Sequence, residues 1–329
     1  MKKILSISGI VVFISLGLYL GSIINKKPPT TTSKISIVTT LFPHYDFAKV
    51  IGGNKVDVTL LLPPGVEAHA YEPKPSDILK IRNAHVFVYT SESMEPWAHD
   101  IIKGVDSKVR IVDASVGVNM MKDDDHESED GGEHQDEDTN HHESEDGQHN
   151  HSGVDPHIWL DFENANIMAK NTTQALTEVD PQNAEYYRDN LKSYQDVLAK
   201  LDSQYKKTLS ACQSKTIIFG GHYAFGYMAK RYGLEYVSAQ GFSPDAEPTA
   251  KDMIAMVQQV KDENIGYIFY EELTSPKIAQ TLANETDTIL LLLNGAHNIS
   301  KTDFEDNVSF VSIMEDNLKN LQIGLRCSQ

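Results

Sequence analysis

From Gln182 to about Leu209 the chain carries neither glycine nor proline, and this stretch constrains the fold more than any other. Its apolar positions, Tyr187, Leu191, Tyr194, Leu198, Leu201 and Tyr205, recur at three- and four-residue steps, the period of one helix face. Asp180-Pro181 just ahead supplies an N-cap and a first-position proline. A helix of roughly 28 residues would be about 42 Å long, enough to run along two lobes. The aromatic-aliphatic stripe reads as a buried face, not as a ligand set.

On either side of this spine the sequence has the same rhythm. Before it, strand-like runs at 34–40, 56–62, 86–89 and 109–113 alternate with helical stretches at 45–51 and 76–82, punctuated by Gly52-Gly53 and Pro63-Pro64-Gly65. A helical stretch from Glu163 to Thr177 leads into the spine. After it, runs at 216–219, 235–237, 267–270 and 288–293 alternate with helices at 224–232, 249–261 and 277–286, and a closing helix spans Phe304 to Leu325. Short apolar strands alternating with helices indicate βαβ units with parallel sheets. The expected architecture is α/β: two similar lobes with parallel sheets joined by a long rigid linking helix. Residues 1–33 would be an N-terminal anchor or signal plus tether, 34–160 the first lobe, 161–211 the linking helices, and 212–329 the second lobe. At 329 residues the chain is long enough for each lobe to bury its own core.

Charge narrows the partners. Net charge is −18, but residues 122–153 hold thirteen carboxylates against Lys122 alone and so account for −12 of it. No basic stripe or tail supports nucleic-acid binding; a cation is the more natural partner. The same run carries His126, His134, His141, His142, His149 and His151 and almost nothing apolar. Such a composition reads as a disordered loop, and its imidazoles and carboxylates are ligands for divalent metals. The N-terminus has an apolar stretch from Ile4 to Ile24 flanked by lysine pairs, long enough to span a bilayer. With no small-residue cleavage pattern after it, an uncleaved membrane anchor is favoured over a cleaved signal. Residues after Lys27 are then extracytoplasmic, at the cell surface or in a periplasm. Cys212 and Cys327 stand at the two ends of the second lobe, where a disulfide is plausible in an exported chain.

Three histidines follow strand-like segments or lie in loops: His69, His157 and His222. Ligands in open α/β sheets bind beyond the carboxyl ends of strands, so residues sent from separate loops converge in an interlobe cleft. A lone loop histidine is more often a surface residue or a local hydrogen-bonder, and His44, His85 and His99 take that reading. The segments Pro-Gly-Val-Glu-Ala-His-Ala-Tyr-Glu-Pro-Lys-Pro-Ser-Asp (64–77), Met-Glu-Pro-Trp (94–97), Asp-Pro-His-Ile-Trp-Leu-Asp (155–161), His-Tyr-Ala-Phe-Gly-Tyr (222–227) and Tyr-Glu-Glu-Leu-Thr-Ser-Pro-Lys-Ile-Ala (270–279) form an ordered series. With Asp-Pro-Gln-Asn-Ala-Glu-Tyr-Tyr (180–187) and Met-Glu-Asp-Asn-Leu-Lys-Asn-Leu (314–321), the series resembles the solute-binding proteins that deliver zinc or manganese to ABC transporters, the zinc-uptake branch in particular. The resemblance covers about residues 35–327.

The resemblance implies one metal between the lobes, held by His69, His157 and His222, with the acidic His-rich loop as an accessory. It implies a monomer that hands zinc to a membrane permease. Three imidazoles favour Zn²⁺ over Mn²⁺, which prefers oxygen ligands. The fourth position departs from the pattern: many relatives carry an aspartate in a Leu-Asp-Pro-like motif, where this chain reads Leu292-Leu293-Asn294-Gly295-Ala296-His297. His297, Glu67, Glu271 or water could fill it, and Glu271 could instead hold a histidine from behind. Two other functions stay open. A zinc hydrolase would use Glu67 or Glu271 as general base, though no H-E-x-x-H pair or nucleophile elbow is present. An adhesin with structural metal is compatible with the anchor, but no repeat or extra module supports it.

Overall fold

A computed structural model describes residues 34–121, 153–242 and 247–328; the expected N-terminal anchor and the His-rich run at 122–152 lie outside the described residues. β1 (Ile35–Thr39), β2 (Val56–Leu60), β3 (Val86–Tyr89) and β4 (Arg110–Asp113) form one sheet in the order β2-β1-β3-β4. β5 (Thr216–Phe219), β6 (Glu235–Ser238), β7 (Tyr267–Tyr270) and β8 (Ile289–Leu292) form a second in the order β6-β5-β7-β8. Every pairing is parallel, with Ile37 opposite Val58 and Val86 in the first sheet and Phe219 opposite Ser238 and Phe269 in the second. The two sheets therefore share one topology. Each has its switch of direction beside its first strand, where ligands bind in such sheets.

The helices are α1 (Phe42–Gly52), α2 (Pro75–Arg82), α3 (Pro96–Lys103), α4 (Phe162–Val179), α5 (Ala184–Ser210), α6 (Gly226–Tyr232), α7 (Ala250–Asp262), α8 (Lys277–Thr286), α9 (Lys301–Glu305) and α10 (Phe310–Gly324). Strand side chains alternate between two faces. One face of the first sheet, with Val38 and Phe87, packs on Ile81, Ile101 and Ile102. One face of the second, with Ile218 and Ile268, packs on Met256, Val260 and Leu282. The opposite faces, with Ile37, Val86 and Val88 from one sheet and Ile217, Phe219 and Phe269 from the other, join a single core filled by α1, α4, α5 and α10. The lobes thus do not each close a core alone, because both inner faces need the same helices for cover.

The spine is α5, preceded by a 3₁₀ turn over Pro181–Asn183. Tyr187, Tyr194, Leu198, Leu201 and Tyr205 of its stripe are buried and Leu191 is partly so. The Asp180 carboxylate accepts from Tyr187 Oη at 2.7 Å and from Asn183 Nδ2 at 2.7 Å, and Tyr205 Oη donates to the Met314 carbonyl at 2.6 Å. Arg231 on α6 forks onto Asp202 of α5 at 2.8 and 3.0 Å and reaches Asp161, the N-cap of α4, at 3.2 Å. Burial raises the Asp202 carboxyl, but the Arg231 and Lys206 hydrogen bonds outweigh that and hold it down at about 2.

Two elements differ from the sequence reading. α3 arises where no helix was expected: Pro96 opens it, and Trp97, Ile101 and Ile102 give it a face to lay on the first sheet. The closing helix is two helices, because Asn307 takes a left-handed backbone (φ 56°) and Ser309 caps α10 by accepting from the Ser312 amide. Asp46 of α1 accepts from the first amide of α10, Phe310 N, at 3.1 Å.

Cys212, after α5, and Cys327, after α10, are joined in a disulfide spanning 115 residues of sequence. The Gln213–Arg326 and Ser214–Leu325 backbone bonds flank it. Closing a loop of that length in the unfolded chain is worth about 4–5 kcal/mol on loop entropy. The double variant Cys212→Ser/Cys327→Ser is expected to lose up to about that much stability in a denaturant titration. An unchanged unfolding midpoint would show that the bridge contributes nothing.

Candidate metal centre

Four loops leave the carboxyl ends of strands and meet between the two sheets. The β2 loop brings His69, whose turn is held by Glu67: its carboxylate accepts from His69 N at 2.9 Å and Ala70 N at 2.7 Å. The segment that follows β4 brings His157 just before α4; the β5 loop brings His222 and the β8 loop His297. One ring nitrogen of each of the four histidines lies within 4.8 Å of those of the other three. His157 Nε2 is 3.3 Å from His69 Nε2 and 3.2 Å from His222 Nε2. His157, His222 and His297 are buried and His69 is half-buried.

Carboxylates stand behind three of the rings. His157 Nδ1 is 2.7 Å from Asp155 Oδ1, and the same oxygen accepts the His157 amide at 2.9 Å. His222 Nδ1 is 2.7 Å from Glu271 Oε1, at an angle off the line of a hydrogen bond. His297 Nδ1 is 3.8 Å from Glu272 Oε1, within electrostatic reach but beyond a hydrogen bond. A carboxylate at Nδ1 favours the proton there and leaves the Nε2 lone pair facing the centre. His297 Nε2 has no hydrogen-bond partner, although it is buried. Lone pairs crowded together in a buried site are an unstable arrangement that a cation would satisfy.

Burial sets the charge state. His157 is held well below the usual imidazole range, first by desolvation and then by His297, His222 and His69. His297 is lowered for the same reasons, first burial and then its imidazole neighbours. Asp155 is pushed up to about 8 by burial, and Glu272 to about 8 by burial and by Glu271 beside it. Burial therefore favours the uncharged forms of His157, His297, Asp155 and Glu272.

Two glycines allow this packing. A Cβ on Gly221 would lie 2.8 Å from Glu271 Oε2, and one on Gly295 would lie 2.6 Å from the His297 ring. Trp159 packs edge-on against the His157 and His297 rings and donates from Nε1 to the Gly295 carbonyl at 2.8 Å.

The structure thus brings together His69, His157, His222 and His297, and puts Glu271 at His222. It gives Glu67 to backbone amides and leaves Asn294 outside the cluster, where its side chain accepts from Ala296 N at 2.8 Å and its amide donates to Asn317. His126, His134, His141, His142, His149 and His151 lie outside the described residues. His85 is exposed and bonded to Ser36, and His99 is exposed. His44 is wholly buried, not at the surface, and is a hydrogen-bonder to Thr90 Oγ1 at 3.0 Å. Asp155, Glu272 and Trp159 were missed as site residues. The signal available was proximity alone: Asp155 is two residues before His157 and Glu272 adjoins Glu271.

A family described as "zinc-uptake complex component A periplasmic", ZnuA, matches residues 37–324. The high-affinity zinc uptake system protein ZnuA of Bacillus subtilis is 39% identical over 293 residues, which are 89% of this chain and 88% of that protein. The zinc-binding protein AdcA of Streptococcus pyogenes is 35% identical across 90% of this chain, which spans only 57% of the AdcA length. The crystal structure of the Zn(II)-bound ZnuA-like domain of Streptococcus pneumoniae AdcA superimposes with a TM-score of 0.71 at 31% identity, over 89% of this chain and 99% of that one. Since the family match runs from β1 to the end of α10 and encloses all four histidine loops, the chain belongs to the ZnuA family.

Proposed function

We propose that this protein is an extracytoplasmic zinc receptor that holds Zn²⁺ between its lobes and delivers it to an ABC-transporter permease. The observation that carries this reading is the set of four imidazole nitrogens within 4.8 Å of one another, with carboxylates behind three of the rings. Borderline nitrogen donors in a near-tetrahedral number suit zinc and other late transition ions. Manganese and calcium seek oxygen, and among the described residues the clustered donors are all imidazole nitrogens. The names of the relatives, high-affinity zinc uptake protein and zinc-binding protein, support zinc as the cargo. Extracytoplasmic placement is supported by the disulfide and by the periplasmic description of the family. Tethering through residues 1–33 and action as a monomer belong to the same proposal. Among the described residues no helix is long and apolar enough to cross a membrane.

The hydrolase reading has less support. Catalytic zinc keeps an open coordination position, and here a fourth histidine stands where substrate would bind. Glu67 is occupied by two backbone amides and Glu271 lies against His222, so neither is free to act as a base on a metal-bound water. Metal-dependent ester or phosphate turnover by the zinc-loaded protein would revive it.

Zinc binding by equilibrium competition tests the assignment. Full-length protein and a variant lacking 122–153 should both keep one tight site. His157→Ala should weaken that site by more than about 100-fold, beyond the range typical of outer-shell partners. If the deletion abolishes all tight binding while His157→Ala does not, the site is in the loop and the four-histidine assignment falls.

The charge states predict a pH dependence. His157 and His297 have lowered pKa values in the fold, so the unfolded chain takes up protons that the fold refuses, and metal-free stability falls as pH drops below the ordinary imidazole value of about 6.5. Asp155 and Glu272 are raised to about 8, so their contribution falls as pH rises from the ordinary carboxylate range towards 8. Zinc favours neutral imidazoles and ionised carboxylates, so it should relieve the second penalty. The zinc-induced rise in Tm at fixed excess metal should therefore grow steadily from pH 5.5 to pH 8. A rise that is the same at both ends would contradict these charge states.

A further inference from the structure

The loop that carries His297 is bonded directly to the loop that carries His69. Asn298, 1% exposed, donates both hydrogens of its amide across the cleft: Nδ2 lies 2.7 Å from the Pro63 carbonyl and 2.9 Å from the Val66 carbonyl. Its own Oδ1 accepts from Ile299 N at 2.9 Å, which fixes the orientation of the amide. The Ile299 carbonyl accepts from Gly65 N at 2.8 Å, and the His297 carbonyl accepts from Phe42 N at 3.1 Å at the start of α1. Three consecutive residues of the second lobe, 297–299, therefore grip the first lobe at two places. Val66 is three residues from His69, and His297 is the neighbour of Asn298.

His69 is the least buried of the four histidines, and Glu67 braces its turn only from within the same loop. What sets the turn against the other lobe is the Asn298 amide together with the Gly65–Ile299 bond. We infer that Asn298 is a positioning residue for the metal: it sets the separation of His69 and His297 before any ion arrives. The inference rests on the reading of the four imidazoles as the zinc site. Asn is suited to the task because one planar amide supplies two donors and an acceptor at once. A leucine of similar size would fill the space without gripping either carbonyl. Metal sites need their ligands held within about 0.5 Å of the productive geometry, so a slack His69 loop should cost affinity without removing a ligand.

The test is a double-mutant cycle on zinc affinity in the full chain, measured by chelator competition. Asn298→Ala and Asn298→Leu, the second to preserve packing volume, should each raise Kd about 10–100-fold, the range for lost outer-shell partners. In a His69→Ala background the same changes should cost less than about twofold more, because the ligand they position is already gone. The cobalt(II)-loaded Asn298 variants should also lose visible absorption intensity as the tetrahedral set loosens. Kd values within twofold of wild type would overturn the inference. So would an equal loss with and without His69, which would mark a general structural role. If His69→Ala alone leaves zinc binding intact, the four-imidazole site itself is wrong, an outcome distinct from failure of the Asn298 clamp.

Discussion

Four imidazoles turned towards one another in a buried cleft leave little room for a charge on His157 or His297, and the architecture of the site follows from that constraint. Protonating one ring would place a charge among buried neighbours, so His157 and His297 stay neutral where an ordinary imidazole would charge. Neutral rings are the metal-binding form. Behind three of the rings Asp155, Glu271 and Glu272 stand at the far nitrogens and orient the inward lone pairs. Asp155 and Glu272 are themselves expensive to ionise in burial, which pushes both up to about 8. A divalent ion relieves both costs together.

The fold brings these groups to one place by using one topology twice. Parallel strands all end on the same side of their sheet, and in both sheets the histidine loops leave from those ends. Because the inner faces of the two sheets share a single apolar core with α1, α4, α5 and α10, the loops start from foundations that do not slide easily past one another. Arg231 joins α6 to α4 and α5 close to where the His157 segment enters α4, and the disulfide secures the end of α5 to the chain terminus.

Much of this was legible in the sequence. The repeated α/β rhythm, the uninterrupted spine and three of the four clustered histidines could be read from local pattern and motif. The reading weakened wherever a long-range contact decides the outcome. The closing helix has continuous helical character, yet it breaks at Asn307, and the start of α10 is held by Asp46, 264 residues away. His297 was one of several options for the fourth position, since spacing within Leu293-Asn294-Gly295-Ala296-His297 does not say which residue turns inward. Only the tertiary fold decides that: Asn294 is drawn to Asn317, and Trp159 holds the Gly295 carbonyl. Asp155 and Glu272 were hidden for a similar reason: a carboxylate two residues from a histidine need not face its ring, and Glu272 has no histidine near it in sequence.

The same geometry lowers the entropic cost of binding an ion in the cleft. Ligands carried on separate loops must lose conformational entropy when they are ordered around an ion. The cleft meets most of that cost when the protein folds, through the backbone bonds from Phe42 and Gly65 to residues 297–299 and through the Glu67 turn. Preorganisation also sharpens selectivity. Oxygen-seeking cations gain little from four nitrogens, and the carboxylates that would suit them are turned to the backs of the rings. An ion that accepts nitrogen in four-coordinate geometry needs no rearrangement. The cleft therefore favours zinc both by its donors and by where its carboxylates are kept.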